Sequence, residues 1–187
     1  VLTPAVTFVY TGTGETTYGP TPSEPVNAGT YDVAATFAGN NNYNNSDSTV
    51  TLVINKAASR ISITGGPFVY DGTAKNVTGF AYGLGGLADV LVPAVTIVYT
   101  GTGETTFGPT PSAPVNAGTY EATATFAGND NYANSASTVA FEINKANSFV
   151  NVTTGSPLVY NGAERNATGF AYGVGGLPDV LTPAVTF

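Results

Sequence analysis

The chain contains no cysteine, histidine, methionine or tryptophan in 187 residues. Without cysteine there is neither a disulfide nor a thiolate nucleophile. Without histidine there is no imidazole base and no ordinary zinc ligand set. Charge is scarce as well: five Lys and Arg stand against twelve Asp and Glu, a net −7. So few scattered cations cannot build the basic surface that phosphate backbones require, and anionic membrane surfaces are disfavoured for the same reason. No apolar run approaches the roughly 20 residues of a membrane-spanning helix. A nucleic-acid partner and membrane insertion are therefore not expected.

What the chain does have is 23 Gly, 12 Pro, 11 Tyr and 10 Phe. The aromatic content argues against disorder, and the Gly and Pro content argues against a helical bundle. Repetition is the dominant signal. LTPAVTFVYTGTGETTYGPTPSEPVNAGTY opens at Leu2, and LVPAVTIVYTGTGETTFGPTPSAPVNAGTY opens at Leu91. A third start, LTPAVTF, opens at Leu181, with one extra residue accumulated between Ala146 and Pro157. This divides the chain into residues 1–56, the C-terminal part of one repeat, 57–145, a complete repeat, and 146–187, the N-terminal part of the next. VLTPAVTF is shared by residues 1–8 and 180–187, so the end pieces together amount to one more repeat. The expectation is a window on a longer tandem array. Its rival is a chain whose residues 146–187 complete the head of a neighbouring copy by strand donation.

Several segments alternate with the period of half-buried strands. Tyr31, Val33, Ala35 and Phe37 share one face, and Asp32, Ala34 and Thr36 the other. Val50, Leu52 and Ile54 alternate with Thr49, Thr51 and Val53, and Glu142 in the place of Val53 marks that second face as solvent. Asp71-Gly72 and Asn161-Gly162 suit tight hairpins, Gly79 suits a β-bulge, and the prolines of GPTPSEP place that segment in a loop. No window shows a capped helical period. The reading is an all-β chain of tandem Ig-like β-sandwich repeats of about 89 residues, with a β-grasp-like mixed sheet as the alternative. In NAGTY, a Gly two residues before Tyr31 or Tyr120 suits a tyrosine corner. Only NKAASR separates Ile54 from Ile61, with no Gly or Pro, so the joint between repeats is expected to be short and stiff.

YDG (Tyr70–Gly72), PVNAGTY (Pro25–Tyr31), FAGNNNY (Phe37–Tyr43) and the closing INKA (Ile54–Ala57) together resemble the MBG-type and related Ig-like tandem repeats of large bacterial surface adhesins. The resemblance spans essentially the whole chain. It implies an extracellular or cell-surface location, a stalk-like or adhesive role, and no catalytic residues.

Candidate sites are sparse. GNNNYNNSDS (Gly39–Ser48) and GNDNYANSAS (Gly128–Ser137) offer oxygen ligands for Ca²⁺, but their carboxylates, Asp47 and Asp130, are not at equivalent positions. Asp89 and Asp179 match one another after GGL and are further weak calcium candidates. A polar connecting loop is the simpler reading of all four, so no metal or cofactor is expected. GTGETTYG (Gly12–Gly19) lacks the Lys of a phosphate-binding loop, and Glu15 and Glu104 belong at turn tips. Lys56 and Lys145, beside Asn55 and Asn144, raise the question of isopeptide crosslinks; Lys75, replaced by Arg165 in the other copy, reads as a solvated cation. Tyr18, Tyr43, Tyr82 and Tyr172 are candidates for a glycan platform, against the commoner fate of buried tyrosines. Asn44, Asn76, Asn151 and Asn166 open glycosylation sequons.

The function expected from these residues is structural, not enzymatic: a stiff spacer or filament-building segment of an extracellular bacterial fibre or adhesin stalk. Its partners are neighbouring repeats of the same protein, through lateral or head-to-tail self-assembly. A loop-based glycan- or protein-binding module and a calcium-rigidified spacer are the alternatives.

Overall fold

The computed structural model describes residues 2–154, 159–175 and Leu181. Among these the chain is all-β and sandwich-like, with one short 3₁₀ turn at Gly86–Ala88 and no α-helix. The helix required by the β-grasp alternative is not found among them. Eleven strands follow in order: β1 Thr7–Gly12, β2 Gly29–Phe37, β3 Ser46–Ile54, β4 Arg60–Thr64, β5 Phe68–Val69, β6 Thr78–Tyr82, β7 Thr96–Gly101, β8 Gly118–Phe126, β9 Ser135–Asn144, β10 Phe149–Thr154 and β11 Ala167–Tyr172. They form sheets of order β1-β2-β3, β4-β6, β5-β9-β8-β7 and β10-β11.

The chain separates into two compact units that follow neither sequence copy. The first comprises residues 1–62, 79–96 and 124–137, and the second comprises 63–78, 97–123 and 138–187.

In the first unit, β2 is the centre of an antiparallel sheet, with Tyr10 opposite Val33 and Tyr31 opposite Leu52. The period-two pattern decides which residues go inside: Tyr31, Val33 and Phe37 are buried, while Thr36 on the other face is exposed. The same unit holds a small core of Ala81, Leu91 and Phe126, against which Ile61, Val95 and Tyr132 pack.

In the second unit the core is Val77, Tyr99, Tyr120, Ala122, Phe141 and Ile143, joined by Ile63, Phe68, Ile97, Phe107 and Val139. Phe141 stacks on Tyr120 with ring centroids 5.5 Å apart and meets Phe68 and Tyr99 edge-on. Glu142 points out to solvent between the buried Phe141 and Ile143, as the alternation requires. The tyrosine corner is present twice. The Tyr31 hydroxyl donates to Asn27 O at 2.7 Å, and the Tyr120 hydroxyl to Asn116 O at 2.8 Å. Burial raises the Tyr120 phenol above its ordinary value, because desolvation disfavours the phenolate.

Two local expectations are corrected. Asp71-Gly72 does not close a hairpin, because β5 runs parallel to β9, Phe68 opposite Ile143, and β6 pairs with β4. Gly72 has φ +80°, but among the described residues no non-glycine residue has positive φ, so the primed turn is absent there. Instead the Asp71 carboxylate folds the turn, accepting from the Thr73 amide at 2.8 Å and the Thr73 hydroxyl at 2.6 Å.

Lys75 is likewise not a freely solvated cation. Its side chain is only 11% exposed and its ammonium pairs with Asp71 at 2.5 Å. That hydrogen bond, followed by those from Thr73, holds the Asp71 carboxyl well below the usual carboxylate range. In the following copy, Gly169, the counterpart of Gly79, sits opposite Val152 in a ladder that runs from Phe149–Tyr172 to Thr154–Ala167 without a slip.

Candidate inter-repeat joint

Residues 27–31 and 54–59 meet the loop 128–135 within the first unit. The loop's shape comes from one side chain. Asn129 Oδ1 accepts from the amides of Asn131 at 3.1 Å and Tyr132 at 2.9 Å, while its Nδ2 donates to Val92 O at 2.9 Å. This Asx geometry closes over Gly128, whose φ is +88°. The other copy of the loop repeats it: Asn40 Oδ1 accepts from Asn42 and Tyr43, and Asn40 Nδ2 donates to Thr3 O. The turn is therefore set by its own sequence and not by what docks on it.

The held loop presents Asn131 to the preceding copy. Asn131 Oδ1 accepts from the Ala28 amide at 2.9 Å, and its Nδ2 donates to Asn27 Oδ1 at 3.1 Å. The main chain adds a short parallel bridge, in which the Ala57 amide donates to Asn131 O and the Ala133 amide donates to Ala57 O, each at 2.8 Å. Lys56 Nζ donates to Asn129 O at 2.7 Å, and the Ser59 hydroxyl to Ala133 O at 2.7 Å. Lys56 thus has a main-chain carbonyl as its partner. Behind the loop, Tyr132 donates to Asp89 Oδ2 at 3.1 Å, and the Gly85 amide donates to the same oxygen at 3.2 Å. The linker is therefore bonded to a loop that is itself anchored from behind.

Beside the joint lies a shallow groove of about 580 Å³, lined in part by Glu15, Thr16, Tyr18, Asn55, Lys56 and Asp130.

The four calcium candidates are placed apart in role. Asp47 lies on β3 opposite Thr36, exposed. Asp130 is exposed at the tip of the joint loop. Asp89 is engaged by Tyr132 and Gly85, and Asp179 lies outside the described residues. Among the described residues no three metal-capable side chains come together. Of the tyrosines, Tyr18 donates to Ser23 O and meets Tyr31 edge-on, Tyr82 packs near Phe80, and Tyr172 stacks on Phe149. Tyr43 alone of the four is exposed. Glu15 and Glu104 sit in turns, as expected.

The residues that sequence reasoning missed are Asn27, Asn129 and Asn131. A signal was present: Asn40 and Asn42 recur as Asn129 and Asn131, whereas Asn41 and Asn44 become Asp130 and Ala133. The recurring Asn40 and Asn129 each close their own turn.

Among the described residues no helix is long and apolar enough to cross a membrane. A family model described as the MBG domain matches the chain twice, over residues 3–58 and 61–147. Searches of curated proteins and of solved structures return no match.

Proposed function

Because the chain belongs to the MBG domain family, a family of structural repeat modules found in bacterial surface proteins, we propose that it acts as a stiff extracellular spacer in which successive copies are locked end to end. The observation that supports this most is the bonding of the joint. Within one short stretch the linker makes main-chain bonds through Ala57, a Lys56 bond to Asn129 O and a side-chain clamp from Asn131. A flexible tether would leave these groups to water. The rest of the chemistry agrees. The candidate acids are scattered, the hydroxyls and amides near the joint are used in hydrogen bonds, and a net −7 favours solubility of a long exposed polymer.

The test exploits the absence of cysteine, since introduced cysteines are then the only labelling sites. Spin labels at Ser48 and Thr125, both in the first unit, should give one narrow distance distribution by double electron–electron resonance. A broad distribution, unchanged when Asn131 is replaced by Ala, would refute a stiff joint.

A further inference from the structure

Asparagine followed by glycine occurs once in the chain, at Asn161-Gly162, and aspartate followed by glycine once, at Asp71-Gly72, the same position one copy earlier. The two pairs build the same turn. Asn161 Oδ1 accepts from the Ala163 amide at 3.1 Å, as Asp71 Oδ1 accepts from the Thr73 amide at 2.8 Å, and Gly162 and Gly72 have φ +76° and +80°. The ring closed by that hydrogen bond contains the Gly162 nitrogen, so the Asn161 side-chain carbonyl is folded back over the peptide that follows it. The bond also draws electron density toward Oδ1 and leaves Cγ the more electrophilic. The space around Gly162 is open, since a Cβ placed there would meet nothing within 4 Å. A covered copy exposes this turn as well: in the middle copy Asp71, Gly72, Thr73 and Ala74 are all exposed, although the adjoining Lys75 amide is bonded to Pro114 O.

We propose that Asn161 is a site of spontaneous, enzyme-free deamidation, in which the main-chain nitrogen of Gly162 displaces the side-chain amide. Solvent hydroxide takes the Gly162 amide proton, the nitrogen attacks Asn161 Cγ, and the Cγ–Nδ2 bond breaks as ammonia leaves with a proton returned by water. The product is a cyclic imide. Water then opens the ring: attack at Cγ leaves an aspartate, and attack at the main-chain carbonyl leaves an isoaspartate. The net change is one water in and one ammonia out. Asn40 and Asn129 also accept from the amide two residues on. They are followed by Asn41 and Asp130, however, whose side chains flank the attacking nitrogen.

The two ring openings have different ends. An aspartate reproduces the turn of the middle copy, with a carboxylate for the Ala163 amide and Arg165 four residues on in the place of Lys75. Arg165, which donates to Val159 O, then gains an acidic neighbour. An isoaspartate carries the main chain through the β-carbon, lengthens the turn by one atom and cannot repeat that geometry. Either product makes the net −7 one unit more negative. Asp71-Gly72 is protected from the same cyclisation. Lys75 and Thr73 keep the Asp71 carboxyl ionised, and a carboxylate is a poor electrophile. Two copies of one turn therefore age at different rates.

Incubation of the intact 187-residue chain in warm, mildly alkaline buffer, followed by tryptic mapping with fragmentation mass spectrometry, tests this. Peptide 146–165 should gain the mass difference between a hydroxyl and an amino group, localised to position 161, and should elute in two forms. Asn147 and Asn151 in the same peptide should stay unchanged, and peptide 61–75, which carries Asp71, should elute as one form. Gly162→Ala adds a methyl group on the open side of the turn and should slow the conversion at least about tenfold. Asp71→Asn places the reactive pair in the complete copy, where it should convert at a rate comparable to that of Asn161. Retention of Asn161 over a period in which the urea-unfolded chain converts overturns the proposal. So does equally fast conversion at Asn147, or a folded Asp71→Asn chain that stays unchanged at position 71.

Discussion

Replacing Asn131 by Ala removes the side-chain clamp of the joint while leaving the main-chain bridge chemically possible. Two hydrogen bonds are lost, from the Ala28 amide at 2.9 Å and to Asn27 Oδ1 at 3.1 Å. Each is worth about 0.5–1.5 kcal/mol net. Asn131 is half-buried, so water replaces part of what is lost and the total should fall at about 1–2 kcal/mol. That corresponds to roughly a five- to thirtyfold increase in the population of the opened joint. Native-state hydrogen exchange reads this directly, and the informative amide is Ala57. It donates to the Asn131 carbonyl, which the substitution does not remove, so its exchange accelerates only if the joint as a whole opens more often. The core amides of Ala122 and Ile143 should be unaffected. Asn131→Asp keeps the acceptor for Ala28 and loses the donor to Asn27, and should lie between parent and Ala variant. If Ala57 exchanges at the parental rate in Asn131→Ala, the clamp does not hold the joint and the stiffness argued from it fails.

Other outcomes follow from the cores and turns. Phe141→Ala removes a ring in contact with Phe68, Tyr99 and Tyr120 and should cost about 3–5 kcal/mol, measured as a lower urea midpoint. Tyr120 has its phenol raised by burial, so its contribution is intact below the ordinary tyrosine value and lost as pH rises through the folded one. Stability should therefore begin to fall above about pH 10, and Tyr120→Phe should flatten that limb in alkaline denaturation. Asp71 has the opposite sign. Its lowered carboxyl contributes at neutral pH, and the contribution is lost on acidification from about pH 4 downward. Carbon-detected NMR titration should find its midpoint below the ordinary aspartate value. Gly108→Ala should unfold the Tyr99–Thr110 bridge, because Gly108 has φ +63° and an added Cβ collides with Tyr99 O. The Thr110 amide should lose its exchange protection.

The sequence made some of this legible and hid the rest for identifiable reasons. Tyr31, Val33 and Phe37 could be assigned to a buried face because strand alternation is local, and the change from Val53 to Glu142 marked the outer face. The tyrosine corners were equally local, spanning four residues. The Asp71-Gly72 dipeptide misled because a hairpin is one of two uses of the same pair. The choice was made by β9, which captures β5 in parallel from more than 70 residues away. Lys75 misled because exchange with Arg165 suggested exposure, whereas the Asp71 carboxylate draws it down. The joint was readable as short but not as clamped. Asn131 and Ala28 lie 103 positions apart, and no periodicity announces a contact at that separation.

The parallel pairing of β5 with β9 bears on how a copy carries tension. Phe68–Val69 lies near the start of the middle copy and Ile143–Asn144 at its end, and the Tyr70 amide adds a bond to Asn144 O at 2.9 Å. A pull that enters on the N-terminal side of one strand and leaves on the C-terminal side of the other drives two parallel segments in opposite directions along their length. The bonds are then sheared together and not peeled in turn, so the small β5 strand acts as a bolt across the load-bearing end of the sheet.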